Sequence, residues 1–220
     1  MKSNDIQFEI LSTGSTGNAT VVNEFLLIDC GIPLKPLKKH IKALKLVLVT
    51  HIHSDHFKKT TIKSLAKNRP TLRFAGGPFL ADAFMNAGVD TSHIDVLMPD
   101  IEYDYGIWRI IPVELSHNVP CYGYKVHFKN GQKLFYATDT NNLNGIRAKN
   151  YDLFLIEANY EDEEIEKRIQ DKKANGEYAY EYDVLKNHLS KKKCDEFIAA
   201  NSHSESRYVY MHAHETGNTE

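Results

Sequence analysis

Cysteine is scarce in this chain: Cys30, Cys121 and Cys194 are odd in number and far apart. That excludes a disulfide framework and suits reduced thiols in a cytosol, each a small structural residue rather than a ligand. No apolar run approaches the roughly 20 residues that span a bilayer. The start, Met1-Lys2-Ser3-Asn4-Asp5, lacks the apolar core of a signal peptide. The expectation is a cytoplasmic protein with no membrane contact. A basic excess is missing too. The formal net charge is −2, which provides no global field for nucleic acid but leaves room for a local patch. No repeat, linker or low-complexity tract divides the sequence. With 220 residues, 42% of them hydrophobic, it can bury a full core, and residues 1–220 read as one domain.

Several short apolar runs have the character of strands. Ile6 to Leu11 alternates, and Asn18–Val22 and Phe25–Ile28 flank a turn at Asn23-Glu24. Leu46–Val49 is a buried strand, followed by others at 72–75, 94–97, 108–113, 122–128, 133–136, 153–157 and 207–211. Pro36 opens a helix with Leu37, Ile41 and Leu44 inward, and further helices are expected at 57–65 and 79–84. From Glu161 to Ala200 the pattern is helical and strongly charged, with Ser190 a cap for a helix over 191–200. Tyr and Phe fall at core-like spacing and give no base-stacking platform.

The run Thr50-His51-Ile52-His53-Ser54-Asp55-His56 stands where the strand at Leu46 meets the following helix. His51 and His53 are two apart and face one side of an extended chain. Asp55 and His56 follow as the chain bends. Imidazole and carboxylate donors suit zinc, iron or manganese, and the absence of Cys argues against a closed structural zinc site. Further donors follow strands: His117 in Leu115-Ser116-His117-Asn118, Asp139 in Ala137-Thr138-Asp139-Thr140, and His212 in Tyr210-Met211-His212-Ala213-His214.

His51-Ile52-His53-Ser54-Asp55-His56 matches the HxHxDH signature of the metallo-β-lactamase superfamily, and the chain resembles that superfamily along nearly its whole length. Gly14-Ser15-Thr16-Gly17-Asn18 and Leu27-Ile28-Asp29-Cys30-Gly31 resemble its small YycJ-like (WalJ-like) hydrolases, relatives of ribonuclease Z and of the carbon–phosphorus lyase phosphodiesterase. The resemblance implies an α/β fold, a four-layer αββα sandwich with the metal site at one edge. It implies that His51, His53 and His117 hold one divalent ion and that Asp55, His56 and His212 hold another, with Asp139 bridging. His214 is the alternative to His212. The ions would be Zn2+ or Mn2+, with Fe2+ a third candidate, sharing a nucleophilic hydroxide oriented by Asp55. Asp29 would brace the site. His188, in Asn187-His188-Leu189-Ser190, resembles a histidine that assists the leaving group. His40, His93, His127 and His203 have no motif and are read as structural.

Asp139 stands where common zinc β-lactamases carry Cys, which argues against penicillin hydrolysis. The chain has neither the helical substrate domain usual in glyoxalase II after the core nor the large β-CASP insertion. The leading expectation is a phosphodiesterase or nuclease acting on DNA, RNA or a smaller phosphodiester, with Lys58, Lys59, Lys63 and Lys67 flanking the motif. A glyoxalase II-type thioester hydrolase and a catalytically silent metal-binding scaffold are the alternatives. Two departures from the YycJ-like pattern bear on substrate handling: His212-Ala213-His214 in the last motif, and Tyr160 where relatives often carry His.

Overall fold

The computed structural model describes residues 5–212; His214 lies outside them. Two six-stranded sheets form the middle of the molecule. The first runs in chain order: β1 (Phe8–Ser12), β2 (Ala19–Val22), β3 (Leu26–Ile28), β4 (Leu46–Leu48), β5 (Arg73–Gly76) and β6 (Ile94–Val96). The second contains β7 (Tyr103–Asp104), β8 (Trp108–Leu115), β9 (Cys121–Phe128), β10 (Lys133–Ala137), β11 (Leu153–Glu157) and β12 (Arg207–Met211), with β12 and β7 at its edges.

The layering follows from strand alternation. On β4, Leu46 and Leu48 join a core shared with Tyr124, Val126, Leu134 and Tyr136 of the second sheet. Val47 and Val49 point the other way, into a core with Leu37, Ile62, Leu65 and Phe84. On β10 and β11, Phe135, Ala137, Phe154 and Ile156 pack outward against Leu189, Cys194 and Ile198. Three apolar layers between four layers of structure make the αββα sandwich that the resemblance implies. All three cysteines are buried and free.

The helices are α1 (Leu34–Leu37), α2 (Lys59–Asn68), α3 (Ala81–Asn86), α4 (Asp162–Ala174), α5 (Glu181–Asn187) and α6 (Lys191–Asn201). They differ from the sequence pattern in three places. The helix expected to open at Pro36 is the single turn α1, and turns carry the chain on to Leu44. The helix expected from Phe57 starts at Lys59, because Phe57 pairs with Cys30 in a β-bridge. The charged stretch is three helices: the one expected over 191–200 is α6, and the part before it divides at Gly176 into α4 and α5. Gly176 adopts the left-handed conformation (φ 69°) just past α4, as a C-terminal glycine does. His188 is extended after α5, and the Ser190 hydroxyl accepts from the Lys193 amide at the start of α6. The two-residue strand β7 has no clear signal in the sequence.

Pairing direction brings distant segments together. β3 and β4 are parallel, and so are β10, β11 and β12. β8 reaches β10 through two antiparallel steps and runs with it. Parallel strands end at the same edge of a sheet, as ligand sites in open α/β sheets also do. Asp29, Thr50, His117, Asp139, Glu157 and His212 stand at or just past those ends.

Gly31 lets the histidine-rich loop lie against the β2–β3 hairpin. A Cβ there would stand 1.6 Å from the Asp55 carbonyl oxygen, which also accepts from the Asn18 amide at 2.6 Å. Gly31→Ala is therefore expected to lower stability by about 1–3 kcal/mol and to reduce bound metal. Denaturant midpoints and metal content on the purified variant check both.

Candidate metal centre

His51 and His53 do not meet on an extended strand. The chain bends at Ile52 and His53 and turns through Asp55, and the His56 amide donates to the His53 carbonyl at 2.9 Å. The bend sets the two rings nearly perpendicular, at 80°, with His51 Nε2 3.0 Å from His53 Nδ1. His117 Nε2 completes a triangle, 3.3 Å from His53 Nδ1. Four donors set tetrahedrally at about 2.0–2.1 Å from a zinc ion lie roughly 3.3 Å from one another, so these nitrogens have the spacing of ligands to one ion.

Asp55, His56 and His212 form a second group, and Asp139 joins His51 and His56 in a third. Asp139 stands between the two sides. Its Oδ2 is 2.9 Å from His56 Nε2, while Oδ1 is 3.9 Å from His117 Nε2 and 3.6 Å from His212 Nε2. All eight residues expected at the site meet here: His51, His53, Asp55, His56, His117, Asp139, His188 and His212.

Hydrogen bonds fix which nitrogen of several rings faces inward. Asp29 accepts from His56 Nδ1 at 2.8 Å, which leaves His56 Nε2 toward Asp55 and Asp139. The carbonyl of Asn187 accepts from His117 Nδ1 at 3.1 Å, leaving Nε2 for the cluster. Thr50 Oγ1 lies 2.9 Å from His51 Nδ1. Partners of this kind set tautomer and ring orientation in metal sites. Asp29, Asp139 and His212 hold left-handed backbone, with φ of 60°, 57° and 52°. Such conformations cost on the order of 1 kcal/mol or more and cluster at functional sites.

The electrostatics separate the two sides. Burial pushes His51 down to about 2, and the neighbouring His56 charge adds to this. Burial also lowers His117, so these two rings are neutral donors. On the other side burial opposes charge, but carboxylates prevail. Asp29 and Asp139 raise His56 well above its ordinary value. The Asp55 and Glu157 carboxylates beside its ring raise His212 to about 10. Burial would raise Asp55, yet the neighbouring His212 and His56 rings hold it below the usual carboxylate range. Protons on His56 and His212 thus neutralise carboxylates that a dication would otherwise balance. Asp139 Oδ2 and His212 Nε2 are buried beside these charged neighbours but make no well-formed hydrogen bond among the described residues, and buried polar atoms seldom go unsatisfied. The donor set fits bound metal.

Four neighbours of the site had no role assigned from the sequence. Glu157, fully buried at the end of β11, lies 2.6 Å from His188 Nδ1 and accepts from the Thr140 amide at 2.8 Å. Asn159 donates to the His212 carbonyl at 2.8 Å. Asn18 Nδ2 lies 2.9 Å from His56 Nε2, and Thr50 donates twice to Asp29. Their signal was present in the segments Gly14–Asn18 and Glu157–Tyr160, but their direction was not. His40, His127 and His203 lie off the cluster, beside Glu9, Tyr151 and Asp152.

A family model described as "Beta-lactamase superfamily domain" matches residues 25–212. The chain belongs to that superfamily. Solved structures agree with its fold. YhfI from Bacillus subtilis, described as a metallo-β-lactamase fold protein, matches at 17% identity and TM-score 0.73, over 96% of this chain and 88% of that one. Human tRNase Z, short form, matches at 16% identity and TM-score 0.69, over 94% and 92%. A diphosphatase of the PhnP family matches at 12% identity and TM-score 0.65, over 94% and 85%. No curated protein matches by sequence. These structural likenesses show the shared fold. No helix among the described residues is long and apolar enough to cross a membrane.

Two predictions follow from the buried carboxylates. Asp29→Asn keeps every candidate ligand but exchanges an acceptor for an amide, and should weaken zinc binding about 10–100-fold; competition with a chromophoric chelator reads this. His212, raised from 6.5 to about 10, is charged in the metal-free protein at neutral pH. Its stabilising contribution is complete below 6.5 and fades as pH rises through 10. Zinc taken up at its Nε2 must displace that proton. Calorimetry in buffers of different ionisation enthalpy should show net proton release at neutral pH; zero release would remove His212 from the ligand set.

Proposed function

We propose that this protein is a dimetal-dependent hydrolase of phosphodiesters, with nucleic acid as the leading substrate class. The observation that carries this reading is the doubled donor set around Asp139. On one side His51, His53 and His117 would hold an ion; on the other, Asp55, His56 and His212. Bound there, two divalent ions, Zn2+ or Mn2+ with Fe2+ a third candidate, supply a water activated near neutral pH and a clamp on phosphoryl oxygens.

The protein's own groups do the rest. Asp55 is the more open carboxylate, its side chain 21% exposed against 4% for Asp139, so it can orient the attacking water. Glu157 engages His188 Nδ1 and turns the other ring nitrogen outward. His188 then donates a proton to the leaving oxygen as the phosphorus–oxygen bond breaks, in the manner of a carboxylate-oriented general acid. Exposed lysines lie on the helices next to the site's loops in the chain: Lys59 and Lys63 on α2, Lys186 on α5, and Lys192 and Lys193 on α6. They favour an anionic substrate. The names tRNase and diphosphatase, borne by two of the structural neighbours, support the phosphodiester class over thioesters.

Hydrolysis of bis-p-nitrophenyl phosphate, with zinc or manganese restored and a chelated control, tests the reading. Chelator-sensitive turnover that disappears in Asp55→Ala is expected. No turnover with two ions bound would transfer weight to thioester substrates, then to a binding role. His188→Ala should keep its metal and lose about 10²–10⁴ in kcat on a dinucleotide, whose leaving group is poor, with far less loss on a p-nitrophenyl ester. Glu157→Gln should follow the same pattern more weakly. Equal loss on both substrates would remove His188 from proton transfer.

A further inference from the structure

A cavity of about 420 Å3 adjoins the His117 side of the cluster, with Phe79, Tyr122, Glu114, Pro120 and Cys121 among its walls. It belongs to none of the donor groups above, although His117 lines it. Its volume lies at the low end of small-molecule sites, about 300–1,000 Å3, room for one ring system and its sugar.

Its chemistry is selective. Phe79 is half-buried and packs edge-on against Tyr122, with ring centroids 5.0 Å apart at 77°. Gly77 makes this contact possible, because a Cβ there would fall 2.2 Å from the Phe79 ring and 2.8 Å from that of Tyr122. Glu114 is opposite Tyr122 in the β8–β9 register, and neighbours so paired share a sheet face. The Glu114 carboxylate is exposed and, among the described residues, has no ion pair or hydrogen bond. An unpaired carboxylate repels a second phosphate and attracts N–H donors. The exposed part of the Phe79 ring offers apolar aromatic surface to a flat ring, and buried Tyr122 holds Phe79 in place.

We infer that this cavity binds the nucleobase next to the cleaved phosphate and prefers a base carrying an amino group, which donates to Glu114, over uracil. This rests on the phosphodiesterase reading for the position of the phosphate, but base binding can be measured without it. Phe79 and Tyr122 are far apart in sequence, which is why no stacking platform was visible in the pattern of aromatics.

Binding is read first, on the full chain without metal, by ligand-observed NMR with guanosine, which has no phosphate. Saturation transfer to guanosine that is lost in Phe79→Ala is expected. Absence of transfer, or equal transfer in the variant, overturns the inference. Turnover is then compared on three esters with one leaving group: the p-nitrophenyl phosphate esters of guanosine (5′), uridine (5′) and methanol. The guanosine ester should exceed the methyl ester in kcat/KM by roughly tenfold, the scale of one base stacked on an aromatic ring. Phe79→Ala should remove that advantage and leave the methyl ester unchanged. Glu114→Gln should narrow the guanosine-to-uridine ratio. Equal rates on all three esters overturn the base subsite and leave the phosphodiesterase standing. Guanosine binding without turnover of any ester supports the subsite and sinks the phosphodiesterase. Competition by a guanosine-ended oligonucleotide against guanosine monophosphate separates a strand end from a free nucleotide as the source of the base.

Discussion

The carboxylate of Asp29 ties the fold to its chemistry. It leaves β3 in the left-handed conformation, fully buried. It accepts from the Thr50 amide and hydroxyl after β4, from His56 in the histidine loop, and from the Tyr136 hydroxyl on the opposite sheet at 3.2 Å. One anion thereby links both sheets to the loop that bears the donors. A buried carboxylate is costly unless its lone pairs are filled, and here each oxygen is engaged at least twice. The network holds only if both sheets, the loop and the His56 tautomer are correct together.

The same logic extends across the centre. Asp29, Asp139 and Glu157 are buried at one edge of the sandwich, with Asp55 half-buried beside them. Imidazoles interleave with them. Without cations the cluster keeps protons on His56 and His212, and with cations those protons become redundant. Carboxylates that would burden an ordinary core thus form a donor set that fits positive charge. The backbone strain at Asp29, Asp139 and His212 is supported by the strands that precede them, β3, β10 and β12, each buried where it meets the site.

Much of this was legible in the sequence. The HxHxDH run carried the resemblance that implied the donor set, and each single donor stood after a strand, where a parallel sheet presents side chains at its edge. Strand alternation at Leu46–Val49 foretold a strand covered on both faces. What stayed hidden depends on long-range direction. Glu157 looked like the end of a core strand; its carboxylate reaches His188 because α5 ends with an extended residue beside β11. Asn18 was read as the start of a strand, and Asn159 had no role assigned. In the charged segment from Glu161 the Ser190 cap was legible, but propensity did not register the reversal at Gly176 that separates α4 from α5.

The sequence by itself determined the chemistry available: which donors exist, their spacing near His51, and the apolar periodicity that yields strands and helices to be layered. Side-chain type and local period are encoded residue by residue, so they can be read directly. Only the tertiary structure decided which nitrogen of each ring faces inward, that Asp139 stands between two groups, that Glu157 engages His188, and that Phe79 lies across Tyr122. Those outcomes depend on pairing direction and on hydrogen bonds between residues far apart in the chain. They are properties of the closed sandwich, not of any segment within it.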